Sequence, residues 1–191
     1  MGIGRERRES GVLTPEPKLG EKSMAEFQYQ LNYDEASYTI IGYQGKDEHV
    51  VIPGTFGGKP VTILYDKLFL GHEEIRSVTI PDSVTDLGEF LFDGCVNLHH
   101  LRLPKNLLYL WGYTFVRCGL EEIELPDLLT SIPSYAFKEC SQLKRVVCGS
   151  GMKKIYPWAF GGCTRLTELV HGPGVDVSPQ AFDLNSAILK V

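Results

Sequence analysis

The residues of this sequence that could support chemistry are its five cysteines and five histidines. Four of the cysteines recur at spacings of 23, 22 and 23 residues, namely Cys95, Cys118, Cys140 and Cys163. Side chains at one position of stacked repeats point the same way, whereas a disulfide needs side chains that converge. We therefore predict a column of buried, reduced cysteines, and we expect Cys148 to lie in the core as well.

No arrangement of residues in the sequence predicts catalysis or metal binding. His99 and His100 are adjacent and would point to opposite faces of a strand, and Cys95 with His99 has no second ligand pair at metal-site spacing. The sequence also lacks the Gly-x-Ser-x-Gly, phosphate-binding and dinucleotide-binding motifs. We therefore expect no enzymatic activity, no metal and no cofactor.

The composition indicates an ordinary globular protein with no preference for nucleic acid. The chain has 191 residues, 43% of them hydrophobic, and a net charge of −5. Nucleic-acid binding favours dense Lys and Arg on one face, and no segment approaches the ~18 apolar residues of a membrane-spanning helix. We expect neither a nucleic-acid partner nor membrane insertion.

A block of 22 or 23 residues recurs along the chain and must position all of these side chains. Starting at Ile75, it reads Ile-x-x-Val-x-Ile-Pro-x-x-Val-x-x-Leu-x-x-x-x-Phe-x-x-Cys, and its phenylalanine recurs as Phe92, Phe115, Phe137, Phe160 and Phe182. A unit this short cannot bury its own apolar face and must stack on copies of itself. The period predicts a β-rich solenoid of right-handed parallel coils, each with one short Val-x-Ile-Pro strand.

The pattern divides the chain into three parts. Residues 1–24 lack apolar periodicity and any apolar run of signal-peptide length, so we predict a flexible tail without a secretory leader. Residues 25–74 predict an N-terminal β-hairpin cap, with strands around Phe27 and Tyr38, followed by an irregular first coil. Residues 75–191 predict the regular coils, which end in an open strand edge.

Two residues of each predicted strand alternate with the core residues and face outward, on what we expect to be the concave face. These are the candidate partner-binding residues: His100, Arg102, Glu122, Glu124, Arg145 and Glu168. In-register stacking would align His100, Glu122, Arg145 and Glu168 in one column of alternating charge. Two interpretations remain open: a solvated face whose charges pair with one another, and a polar face that binds a protein.

A second row of candidates lies two residues before the repeated phenylalanine. It consists of Phe90, Tyr113, Tyr135 and Trp158. Aromatic side chains at one repeat position can stack along the wall of a solenoid, and we favour that interpretation. An exposed aromatic strip that contacts protein or sugar is the alternative.

The repeats resemble the BspA-type leucine-rich repeat family. The resemblance is clearest in Leu125-Pro126, Ile132, Ala136-Phe137 and Cys140, then in Ile155, Ala159-Phe160 and Cys163, and it covers Phe27 to Val191. It implies a non-enzymatic adhesion or binding module at the cell surface or secreted, with a host extracellular-matrix or cell-surface protein as partner. The alternatives are a scaffold that self-associates through the open C-terminal edge, as a monomer or weak oligomer, and a carbohydrate-binding protein.

Overall fold

The computed structural model describes residues 26–183 and the backbone of a last strand at 189–190. The tail predicted for residues 1–24 lies outside the described residues. No α-helix occurs within the described part, so none of these residues forms a helix that could cross a membrane.

The N-terminal cap is a β-hairpin, as the sequence predicts. Strand β1 (Phe27–Leu31) pairs antiparallel with β2 (Tyr38–Tyr43). The turn between them is held by Asp34, whose carboxylate accepts hydrogen bonds from the backbone N–H of Ala36 at 2.9 Å and of Ser37 at 3.0 Å. The bond from Ala36 is the main reason that the pKa of Asp34 is lowered. The rings of Phe27 and Tyr29 lie in the core, so the hairpin covers the first end of the solenoid.

Two series of short parallel strands form opposite sides of each coil. The first series, the strand face, contains β3 (His49–Val51), β6 (Ser77–Thr79), β8 (His100–Arg102), β10 (Glu122–Glu124), β12 (Arg145–Val147), β14 (Glu168–Val170) and β16 (Leu189–Lys190). The second series, the opposite side, contains β5 (Lys59–Leu64), which β4 (Thr55–Phe56) joins as a hairpin, then β7 (Asp86–Leu87), β9 (Tyr109–Leu110), β11 (Ser131–Ile132), β13 (Lys154–Ile155) and β15 (Asp176–Val177). The solenoid prediction is confirmed.

A column of stacked phenylalanine rings occupies the third side of the coils. Consecutive ring centroids from Phe69 through Phe92, Phe115, Phe137 and Phe160 to Phe182 lie 4.9 to 5.6 Å apart. The five cysteines are buried as free thiols, as predicted. The Cys140 thiol donates a hydrogen bond to the Phe115 carbonyl at 2.8 Å, and Cys163 does the same to Phe137 at 2.9 Å. The thiols therefore satisfy backbone carbonyls of the preceding coil.

Within the described coils the stack of strands is interrupted once, which corrects the expectation of continuous columns. On the strand face, β6 pairs with β8 and β10 pairs with β12, but β8 and β10 belong to different sheets. On the opposite side, β9 and β11 are separated in the same way. Both interruptions fall between the same two coils, and we call this interface the seam.

Two features of the sequence explain the seam. The turn from Cys118 to Leu120 is one residue shorter than its counterparts, and Gly119 packs so tightly that an added Cβ would lie 2.1 Å from the Val96 carbonyl oxygen. On the opposite side, Pro133 occupies the repeat position of Tyr156, whose N–H donates to the Ile132 carbonyl of the preceding coil. Proline has no N–H, so the corresponding bond cannot form at Pro133. The phenylalanine side stays closed, because Phe115 N–H bonds to the Ala136 carbonyl at 2.8 Å across the seam.

Candidate interaction surface

The seam divides the strand face into an N-terminal block (β3, β6 and β8) and a C-terminal block (β10, β12, β14 and β16). Charged side chains lie in register within the C-terminal block. Glu122 lies beside Arg145, which lies beside Glu168. Arg145 Nε is 3.0 Å from Glu168 Oε2, and both side chains are about 40% exposed. This half of the predicted charge column is confirmed, and part of it does pair internally.

His100 and Arg102 lie on the other block, beside Ser77 and Thr79 rather than beside Glu122 and Glu124. The guanidinium of Arg102 reaches back to the preceding coil, where it contacts Asp82 Oδ1 at 3.0 Å and donates to the Ile80 carbonyl at 2.8 Å. The pKa of Asp82 is lowered, first by the backbone N–H of Lys105 and then by Arg102. The column that the sequence predicts from His100 to Glu168 is therefore wrong at its first step.

The seam leaves backbone hydrogen-bonding groups of two strands without their usual partners. In the neighbouring coils, Ile80 N–H bonds to the Arg102 carbonyl at 3.0 Å and Leu125 N–H bonds to the Val147 carbonyl at 2.8 Å. The equivalent backbone bond from Leu103 to Glu124 is absent from the described residues. The facing edges of β8 and β10 are consequently open to other hydrogen-bonding groups.

Core side chains are partly exposed beside these open edges. Leu101 and Leu103 are only half-buried, whereas Ile80, Ile123 and Leu125 at equivalent positions are at most 4% exposed. A groove of about 800 Å³ on the strand face is lined by residues of both blocks. The groove therefore combines apolar side chains with open strand edges.

Two carboxylates at the groove form no ion pair within the described part of the chain. Glu122 and Glu124 are exposed, and neither forms an ion pair with any residue in 26–183. Their neighbour Glu121, by contrast, pairs with Lys144. We call the two sides of the groove formed by β8 and β10 its banks. The β10 bank thus presents two negative charges, two residues apart, that form no ion pair among the described residues.

The aromatic row forms a stack along the outside of the phenylalanine side. The ring of Tyr113 stacks on Phe90 at 4.7 Å and on Tyr135 at 4.9 Å, with interplanar angles of 14° and 12°. These residues and Trp158 all have positive φ, between 54° and 63°, which is unusual for side chains of this size. Packing along the wall, the interpretation favoured from the sequence, agrees with this geometry. Both faces of Tyr113 are covered, and Trp158, which is 43% exposed, is the most exposed residue of the row.

The buried titratable groups lack the surroundings of a reactive site. Burial raises the pKa of the Cys118 thiol to about 12 and that of Cys148 to about 11, and it raises the Cys95 and Cys140 values too. A reactive cysteine needs the opposite shift, towards the thiolate. No group of three or more metal-ligating side chains occurs among the described residues. These thiols are core side chains.

Sequence reasoning located the charged side chains but missed the groove. Its signals were the turn at Gly119 that lacks one residue and Pro133 in the following coil, both visible in the sequence. The lengths of the repeats alone do not determine which side of a coil opens when one repeat is a residue shorter. That depends on where Gly119 contacts the preceding coil.

Comparisons with known proteins agree with this architecture. The family model of the BspA type leucine rich repeat region matches residues 62–188 in six copies. The crystal structure of a leucine-rich repeat protein from T. pallidum is 31% identical, with a TM-score of 0.78, and the match covers 86% of this chain and 78% of that one. A leucine-rich repeat protein from Bacteroides ovatus shares the fold at 20% identity and a TM-score of 0.61, over 86% of this chain and 51% of that one. A comparison with curated proteins gives no match.

Proposed function

The chain belongs to the BspA-type leucine-rich repeat family, and we propose that it is a non-enzymatic binding module that holds a protein partner on its strand face. The observation that carries this proposal is the groove of about 800 Å³ on that face, which no described side chain fills. It joins apolar side chains, open strand edges and unpaired charges. Protein-binding surfaces combine these features, with apolar contacts for affinity and charge for specificity.

The charges of the face suit recognition rather than stability. Ion pairs at the surface contribute only ~0 to 1 kcal/mol each, so Arg102 and Arg145 are not needed to hold the coils together. Placed around a groove, the same charges would steer a partner of complementary charge and reject others. An extracellular-matrix or cell-surface protein remains the partner class that we propose.

The proposal is tested by binding to a panel of purified extracellular-matrix and cell-surface proteins. We expect saturable binding of at least one of them, and we expect the double variant Arg102→Glu, Arg145→Glu to change its affinity about tenfold or more, which corresponds to about 1.4 kcal/mol. The change should be towards tighter binding for a basic partner and towards weaker binding for an acidic one. The matched control is Lys67→Glu, Lys153→Glu, which makes the same change of charge at exposed positions outside the strand face. An equal change in both variants, or none in either, would show that the strand face is not the binding surface.

Two other hypotheses stay predictions. Self-association through the C-terminal edge concerns residues 184–191, of which only the backbone strand β16 is described, parallel to β14. Carbohydrate binding by the aromatic row predicts that sugars quench the fluorescence of Trp158. A Trp158→Ala variant should then lose the signal.

A further inference from the structure

We propose that the seam is a docking site for one kind of partner segment: an extended peptide in which apolar residues alternate with Lys or Arg. This inference rests on the proposed function, because it specifies what the strand face holds. It differs from binding by surface charge alone, because the segment would pair through its backbone and complete an interrupted sheet.

The first support is the backbone chemistry of the seam. A strand edge with free N–H and C=O groups is a template for pairing with another chain, and peptide recognition by strand addition uses it. Most edges of this solenoid are covered by the next coil, but the facing edges of β8 and β10 are not. The Leu103 N–H and the Glu124 carbonyl would bond to each other in a regular stack, but no such bond occurs among residues 26–183.

The second support is the partial exposure of core side chains beside the groove. Leu101 and Leu103 are two residues apart and half-buried, while their counterparts Val78 and Ile80 in the preceding coil are 1% and 0% exposed. An extended segment alternates its side chains with the same period of two. Apolar side chains on one face of the segment would cover both leucines at once.

The third support is the charge on the β10 bank. Glu122 and Glu124 are also two residues apart, point outward and have no ion pair among the described residues. The cation nearest to them in register, Arg145, is already engaged by Glu168 at 3.0 Å. The outward side chains of a docked segment would therefore be best matched by Lys or Arg at alternate positions.

The opposite bank does not conflict with a basic segment. Arg102 is the charged residue of β8, and its guanidinium is turned towards Asp82 on the preceding coil. Its charge is thus partly neutralised away from the groove. The β10 bank is negatively charged and the β8 bank is not, so the basic side chains of the segment should lie towards β10.

The test uses a labelled heptapeptide of sequence Thr-Lys-Val-Lys-Ile-Lys-Thr with blocked ends, and its binding is followed by fluorescence polarisation. We expect saturable binding that weakens about tenfold or more in the protein variant Glu122→Lys, Glu124→Lys. Three matched peptides separate the contributions: one with Glu for each Lys, one with the same residues in a non-alternating order, and one N-methylated at alternate residues. All three should bind at least tenfold more weakly, because they lose charge matching, alternation and backbone pairing in turn.

The control protein variant is Glu73→Lys, an exposed position on a turn outside the strand face, which should bind like the unmodified protein. Circular dichroism should show that all variants are folded, as the replaced side chains are exposed. Absence of peptide binding, or binding unaffected by N-methylation or by Glu122→Lys, Glu124→Lys, would overturn the inference.

The outcomes also separate this inference from the proposed function. If a panel protein binds in a way that depends on Arg102 and Arg145 but the peptide does not bind, the strand face is a binding surface and the seam is not a strand acceptor. If the peptide binds and no panel protein does, the partner class is wrong and the seam stands. Binding of the acidic peptide in preference to the basic one would contradict the charge argument.

Discussion

Replacing Phe137 by alanine is expected to lower the free energy of unfolding by about 3 to 5 kcal/mol. The Phe137 ring is fully buried, and it stacks between Phe115 at 4.9 Å and Phe160 at 5.4 Å. Coils on either side contact each other through this ring, so neither can close the cavity without moving the other. Urea denaturation of the purified protein measures the change.

The matched control for this variant is Phe182→Ala. Phe182 has the same repeat position but is only half-buried, at the end of the ring stack beside Phe160 at 5.5 Å. We expect it to lose less than half as much free energy. A Phe137→Ala change within ~1 kcal/mol of the unmodified protein would mean that the ring column does not hold the coils together.

Raising the pH above about 8.5 is expected to destabilise the fold by several kcal/mol. An unfolded cysteine loses its proton near pH 8.5, whereas burial raises the pKa of Cys118 to about 12 and of Cys148 to about 11, and raises the Cys95 and Cys140 values as well. Because the folded values are the higher ones, the stabilisation is complete below about pH 8.5 and is lost as the pH rises. Each such thiol contributes a slope of about 1.4 kcal/mol per pH unit.

By pH 10 the loss is about 2 kcal/mol for each thiol that stays protonated in the fold, so Cys118 and Cys148 alone remove about 4 kcal/mol of a typical domain stability of about 5 to 15 kcal/mol. Urea denaturation at pH 7.5, 9 and 10, with reductant present, measures the loss. Below about pH 10 the buried tyrosines contribute little, since unfolded tyrosine titrates only near pH 10. The control is Cys118→Ala. Its free energy of unfolding should fall less steeply with pH, by about 1.4 kcal/mol per pH unit, because one titrating thiol is missing. A free energy of unfolding that stays constant from pH 8 to 10 would show that the thiols are not buried as described.

The fold was predictable because a single period determines it. Each repeat places a phenylalanine and a cysteine at fixed offsets from a short strand, so the register of one coil, such as that of Phe137, predicts all the others. The cap was predictable for a different reason: alternation on both sides of the polar turn at Asp34 is typical of a hairpin. Both features depend on local pattern and not on details of contact.

The candidate site was predictable only in part, because contacts across coils are not periodic. Arg102 was expected on a strand face whose charges could pair with one another, but its partner is Asp82, which follows the proline of the preceding coil and is not on a strand. The seam arises from one missing residue near Gly119 and from one absent donor at Pro133. A small local change at each position removes hydrogen bonds along a whole strand. The repeat pattern describes only what the coils share, so it does not show this effect.

Residue-resolved amide hydrogen exchange of the free protein shows whether the seam is open, as the proposed binding surface requires. We expect Leu103 to exchange at least about a hundredfold faster than Ile80 and Leu125, which occupy equivalent positions and donate to carbonyls of the following coil. The two slow amides serve as internal controls in the same sample. Equal protection of all three would mean that β8 and β10 are paired in solution, and would contradict the open groove.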